Sequence, residues 1–149
     1  MRVEVPTLMD LEGMSLCPQA EYARTELLKA YGGPAREEFE AELANRAVLL
    51  TADHMPIALV GASRLDPEDG SVATAWGFFD TRASRHAKSL VFLLRALVGH
   101  ARTVGILTLV ADIECGRRSA LKLARMIGFE EIGRRGHEVQ LVARTGCGS

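Results

Sequence analysis

Between residues 72 and 111 the chain changes its hydrophobic period twice, and this constrains the fold more than any other feature. Residues 72–79, VATAWGFF, read as a strand. The stretch RASRHAKSLVFLLRALVGHAR, residues 82–102, then carries aliphatic side chains at helical spacing. Residues 107–111, LTLVA, form a short apolar run of strand type. Two strands joined by a helical crossover in one sheet pair in parallel, because a tight hairpin cannot link them. Residues 47–51 and 57–62 demand the opposite arrangement. They flank the turn Ala52-Asp53-His54-Met55-Pro56 and predict an antiparallel hairpin. A sheet holding both is mixed.

The remaining segments fill out the order. Residues 2–5 alternate as a short strand stopped by Pro6. Residues 8–30 read as mainly helical, with a break at Pro18. Gly32-Gly33-Pro34 is strong punctuation, and Pro34 suits a first helical turn. In the helix that follows, Phe39 and Leu43 make the buried stripe, and Glu37, Glu38, Glu40 and Glu42 make a solvated face. Asp66-Pro67-Glu68-Asp69-Gly70 is a turn by composition. Residues 119–127 read as a helix ended by Gly128 at C′, and residues 130–132 and 139–142 as two closing strands. The order β-α-α-β-β-β-α-β-α-β-β, without repeat or linker, predicts one α/β domain over residues 1–149. Its mixed sheet has about six or seven strands, with about four helices on both faces.

Composition narrows the function classes. A chain of 149 residues, 48% hydrophobic and 25% charged, can bury a sizeable core. A net charge of −1 gives no global attraction to nucleic acid or to anionic membranes. No apolar run reaches the roughly 18 residues that a membrane span needs. The opening MRVEVP lacks the apolar stretch of a signal peptide, so a cytoplasmic location is expected. Cys17, Cys115 and Cys147 form no CxxC pair, and His54, His86, His100 and His137 make no metal-ligand spacing; no metal is expected. Cys115 has no histidine close in sequence to activate it, and its simplest reading is a small buried thiol.

Three stretches carry a resemblance. RRSALKLARMIGFEEIGRR, residues 117–135, holds a helix of small and aliphatic residues that ends in Gly-Phe before a strand; Ala120, Leu123, Gly128, Phe129 and Gly133 carry the match. LLRALVGHAR, residues 93–102, is a second match, and the hairpin at residues 47–62 is the third. In this order they resemble the GNAT family of acyl-CoA-dependent N-acyltransferases over nearly the whole chain. The resemblance implies acetyl-CoA as co-substrate and direct attack by an amine on the thioester. In that family parallel strands splay apart, and the CoA pyrophosphate docks at a helix N-terminus, which carries free N–H groups and a partial positive charge.

The resemblance also assigns residues. The CoA loop falls on Arg85, His86, Ala87, Lys88, Ser89 and Leu90, and Arg117 or Arg118 would reach the 3′-phosphate. Lys88 and Leu90 stand where the family has small residues, which let the backbone approach phosphate closely. Arg85, His86 and Lys88 would compensate by pairing with phosphate. Ala124 stands where many members carry a tyrosine for the departing thiolate, and Arg117 where an asparagine is common. Residues 72–79 hold no carboxylate, so the candidate general bases are Asp80 and Glu114, with Asp112 a third. Trp76, Phe78 and Phe79 read as core or as the wall of a substrate pocket.

Three functions therefore stand open. One is an N-acetyltransferase acting on a small-molecule or protein amine. Another is a GNAT-fold structural or binding protein without catalysis, of a kind that would suit a bacteriophage virion component. A domain that binds CoA without turnover is a third. Neither membrane nor nucleic-acid partners are expected, and a homo-oligomer is compatible with all three.

Overall fold

A computed structural model describes residues 1–30, 36–65, 68 and 70–145, without the side chains of residues 30, 39, 42, 44 and 45. The Gly32-Gly33-Pro34 punctuation, the Phe39 half of the apolar stripe, Cys147 and most of the turn at residues 66–70 lie outside the described residues. The elements run β1 (Arg2–Glu4), α1 (Leu8–Glu12), α2 (Pro18–Ala30), α3 (Arg36–Arg46), β2 (Ala47–Ala52), β3 (Met55–Arg64) and β4 (Val72–Phe79). A 3₁₀ segment, Thr81–His86, leads directly into α4 (Ala87–His100), and a second, Ala101–Val104, ends it. The chain closes with β5 (Thr108–Glu114), α5 (Arg118–Met126), β6 (Glu130–Arg135) and β7 (Glu138–Arg144). Pro18 opens α2 rather than interrupting a longer helix, as suits a residue whose missing N–H costs nothing in a first turn.

The seven strands form one mixed sheet in the order β1-β2-β3-β4-β5-β7-β6. β4 and β5 pair in parallel, Val72 with Thr108 through Thr74 with Val110, as the helical crossover requires. β7 inserts between β5 and β6 and is antiparallel to both. No helix among the described residues is long and apolar enough to cross a membrane.

The described residues cluster into two compact units. The first holds residues 1–61 and 76–87. Its core joins Leu8, Leu11, Met14, Leu16 and Ala20 to Leu43, Leu49 and Leu59. Thr7 and Asp10 cap α1 reciprocally, and the Arg24 guanidinium of α2 donates to the carbonyls of Leu11 and Met14. The second unit holds residues 62–75 and 88–149. Its core joins Leu109 and Ala111 of β5, Val139, Leu141 and Ala143 of β7, and Leu121 and Ala124 of α5. These strand residues alternate, so each strand turns one face to this core. α5 ends as its sequence predicts. Gly128 adopts φ 111°, its N–H donates to Arg125 O, and Phe129 N–H donates to Ala124 O. This is a Schellman close, with Phe129 buried beyond it, and it gives the Gly-Phe pair its physical reason.

The β2–β3 hairpin turns through two residues, Asp53 and His54, at φ 51° and 63°. A type I′ turn asks for this left-handed backbone at both positions because its twist matches the strands. Neither residue is glycine, although aspartate and histidine enter this region more readily than most. Replacing the pair by Asn-Gly (Asp53→Asn with His54→Gly) is expected to stabilise the chain by about 1 kcal/mol. The check is a higher denaturant midpoint; a lower one would mean that an Asp53 or His54 side chain holds the turn.

Candidate functional site

The parallel unit directs attention to the residues after β4. Asp80 follows the strand with an extended backbone, φ −64° and ψ 149°, and acts as the N-cap of the Thr81–His86 segment. Its own N–H donates to Ile57 O at 2.8 Å. Its side chain is buried, with the residue only 2% exposed, and accepts four hydrogen bonds. Arg82 Nε and Nη2 form a fork on the two oxygens at 2.7 and 2.9 Å. The N–H groups of Arg82 and Ser15 each donate at 2.9 Å. The Arg82 fork is the main reason the carboxyl is held down at about 2 from its ordinary 3.8. Burial opposes this, and the two backbone donors add to it. The same pair raises the Arg82 pKa.

An inventory of backbone donors shows what else this end can hold. Thr81 N–H donates to Ser15 O at 2.8 Å, Arg82 N–H to the Asp80 carboxylate, and Ala83 N–H to Asp80 O at 2.9 Å. The first donors of the helical stretch are therefore spent inside the chain. The backbone is helical without a break from Thr81 to His100, and the Ala87 joint is itself in the right-handed region.

Arg85, Ala87, Lys88 and Ser89 are exposed, and His86 is half-buried. Leu90 is buried, so its side chain belongs to the packed interior rather than to an anion loop. Among the described residues the side chains of Arg85, His86 and Lys88 have no hydrogen-bond or ion-pair partner. Trp76 and Phe78 stand on one face of β4 and pack on the first unit's core, edge to face, with ring centroids 6.4 Å apart. Gly61 makes room for the indole: a Cβ there would lie 2.5 Å from Trp76 Cζ2 and 2.8 Å from Arg46 O. Phe79 lies on the opposite face, against Gly77.

Glu114 and Asp112 are exposed on β5, opposite Glu138 and Gln140 of β7. Asp80 belongs to the first unit and Glu114 to the second. Arg117 is the half-buried N-cap of α5, and its side chain makes no capping bond. Ala124 is core. Among the described residues no group of three or more His, Cys, Asp or Glu could hold a metal ion.

Ser15 and Arg82 are the participants that the sequence reading missed. The Asp-x-Arg spacing at a helix start would have signalled Arg82. Ser15 lies 65 residues from Asp80, and no local pattern announces it.

No family model and no curated protein matches the sequence. Solved structures do match it. The GNAT domain of S. lividans PAT is similar over 96% of this chain and 89% of its own, with 16% identity and a TM-score of 0.68. A ribosomal-protein-alanine N-acetyltransferase from Brucella melitensis is similar over 97% and 99%, with 18% identity and a TM-score of 0.64. AAC(6')-Ib in complex with paromomycin and acetyl-CoA is similar over 95% and 92%, with 18% identity and a TM-score of 0.61.

The chain has the GNAT fold. The mixed sheet and element order agree with the expected class, with five α-helices among the described residues where about four were expected.

The family resemblance assigns the CoA phosphates to the stretch after β4. Here the backbone half of a phosphate grip does not fit: residues 85–90 lie inside a continuous 3₁₀ and α-helical run, the N–H groups of Thr81, Arg82 and Ala83 ahead of them are spent within the chain, and a carboxylate already caps the helix start. The side-chain half does fit an anion, through the unpartnered Arg85 and Lys88.

Asp80→Asn removes the charge that Arg82 pairs with. A folded pKa below the unfolded one stabilises above about pH 4, and that stability is lost as pH falls toward about 2. Asp80→Asn is expected to cost about 2 kcal/mol at pH 7 and to lower the Tm by roughly 4–8 °C. The gap from the parent should close between about pH 4 and about pH 2. A gap that stays constant over this range would mean that the charge is not what stabilises.

Proposed function

We propose that the chain is an N-acetyltransferase that uses acetyl-CoA to acetylate an amine. The whole-chain likeness to GNAT structures, built around the parallel β4/β5 crossover, supports this reading. When bound, acetyl-CoA supplies the activated acetyl group. Arg85 and Lys88 hold its phosphates by side-chain charge, with His86 beside them, and Arg117 serves the 3′-phosphate. Glu114 is the general base of this reading: it takes the proton that the attacking nitrogen sheds. Asp80 is the weaker candidate, because a carboxylate held at about 2 has little affinity for a proton at neutral pH. Trp76 and Phe78 supply the apolar wall, and the acceptor is a small-molecule or protein amine.

A second reading has one observation in its favour. The internal capping by Asp80 is what a GNAT-fold protein without a CoA site would keep. Calorimetric titration with acetyl-CoA, paired with thiol release in the presence of a panel of amines, separates the two. Saturable heat that Lys88→Glu reduces at least about tenfold, with thiol release that Glu114→Gln suppresses, is the expected outcome. Heat without turnover would point to a CoA-binding regulatory domain. No heat at roughly millimolar ligand would leave the non-catalytic module.

A further inference from the structure

The two edges of the sheet differ in how they are protected. β6 ends one side with Glu130, Glu131, Arg134 and Arg135, all exposed, and its pairing with β7 shifts register between Glu131 and Gly133. Charge and irregularity of this kind keep an edge from pairing with another chain. β1 ends the other side with two exposed charges of opposite sign, Arg2 and Glu4, and without a register shift. Its register with β2 is regular, Arg2 with Thr51, Val3 with Leu50 and Glu4 with Leu49. Around it Met1 is 36% exposed, Val3 48% and Val5 70%. Among the described residues the side chains of Arg2 and Glu4 have no ion-pair or hydrogen-bond partner.

We propose that β1 is a self-complementary docking edge that receives β1 of a second copy of this chain. The charge order selects this occupant. In an antiparallel pair related by a two-fold axis through Val3, each Arg2 faces the Glu4 of the other copy, and the two Val3 side chains meet. Arg2 and Glu4 point to the same side of the strand, so both ion pairs form on one face. Registers displaced by two residues set Arg2 against Arg2 or Glu4 against Glu4, and both are repelled. One register is therefore favoured. The contact is short, so the dimer is weak and concentration-dependent.

Sedimentation equilibrium of the full chain, from about 10 µM to about 1 mM at low salt, tests the proposal. The parent is expected to dimerise within this range. Glu4→Arg alone and Arg2→Glu alone should each weaken the dimer by roughly tenfold or more. The double variant Arg2→Glu with Glu4→Arg should restore it, since the reversed charges face each other again. Circular dichroism confirms that each variant is folded, and the exposed positions make that the expected result. A parent that stays monomeric, a dimer indifferent to the single reversals, or a double variant that does not recover would each overturn the proposal.

Discussion

A buried carboxylate is tolerable only when its oxygens are saturated, and the Asp80 carboxylate is where the first unit meets that demand. Four donors converge on it from two places in the chain: the Arg82 side chain and backbone, and the backbone N–H of Ser15. One anion thereby fixes the end of β4, the entry to α2 and the start of the long helical stretch. Removing the charge would weaken the Arg82 fork and two part-buried N–H bonds together, so this contact is worth more than an exposed ion pair.

The same interaction shapes the functional reading. A helix start can offer free N–H groups and positive potential to a ligand, or spend them on its own chain. Here they are spent, and residues 85–90, to which the resemblance assigns the phosphate loop, run from the end of the 3₁₀ segment into the first turn of α4. Leu90, at a position the GNAT pattern reserves for a small residue, follows from this: in a continuous helix that position faces the interior, and a leucine fills it. An acyl-CoA would then depend on the Arg85 guanidinium and the Lys88 ammonium on exposed side chains, a looser and more salt-sensitive hold than backbone amides give.

The sequence revealed the architecture better than the site. The strand–helix–strand period change, the hairpin between residues 47 and 62 and the Gly128-Phe129 close each rest on local rules, and the structure follows all three, although the turn read at residues 52–56 narrows to Asp53-His54, with Ala52 in β2 and Met55 and Pro56 in β3. The helix order and the mixed sheet follow from them. What stayed hidden was non-local or depended on backbone path. Ser15 reaches Asp80 across 65 residues. Gly61 is needed because Trp76 lies against it on the neighbouring strand, a contact no periodicity encodes. Asp80 read as a candidate base because it is the first carboxylate after β4; its N-cap role shows only once the turn that follows is known to be helical. The basic cluster Arg85, His86 and Lys88 was visible, but its backbone conformation was not.

The side-chain carboxyl titration of Asp80, followed by carbon NMR between about pH 1 and about pH 7, tests most directly whether this clamp governs the helix start. A midpoint near 2, with the Arg82 Nε–H signal changing over the same range, is the expected result. A midpoint at or above the ordinary 3.8 would mean that the carboxylate is not clamped, and that the helix start is open to an outside anion.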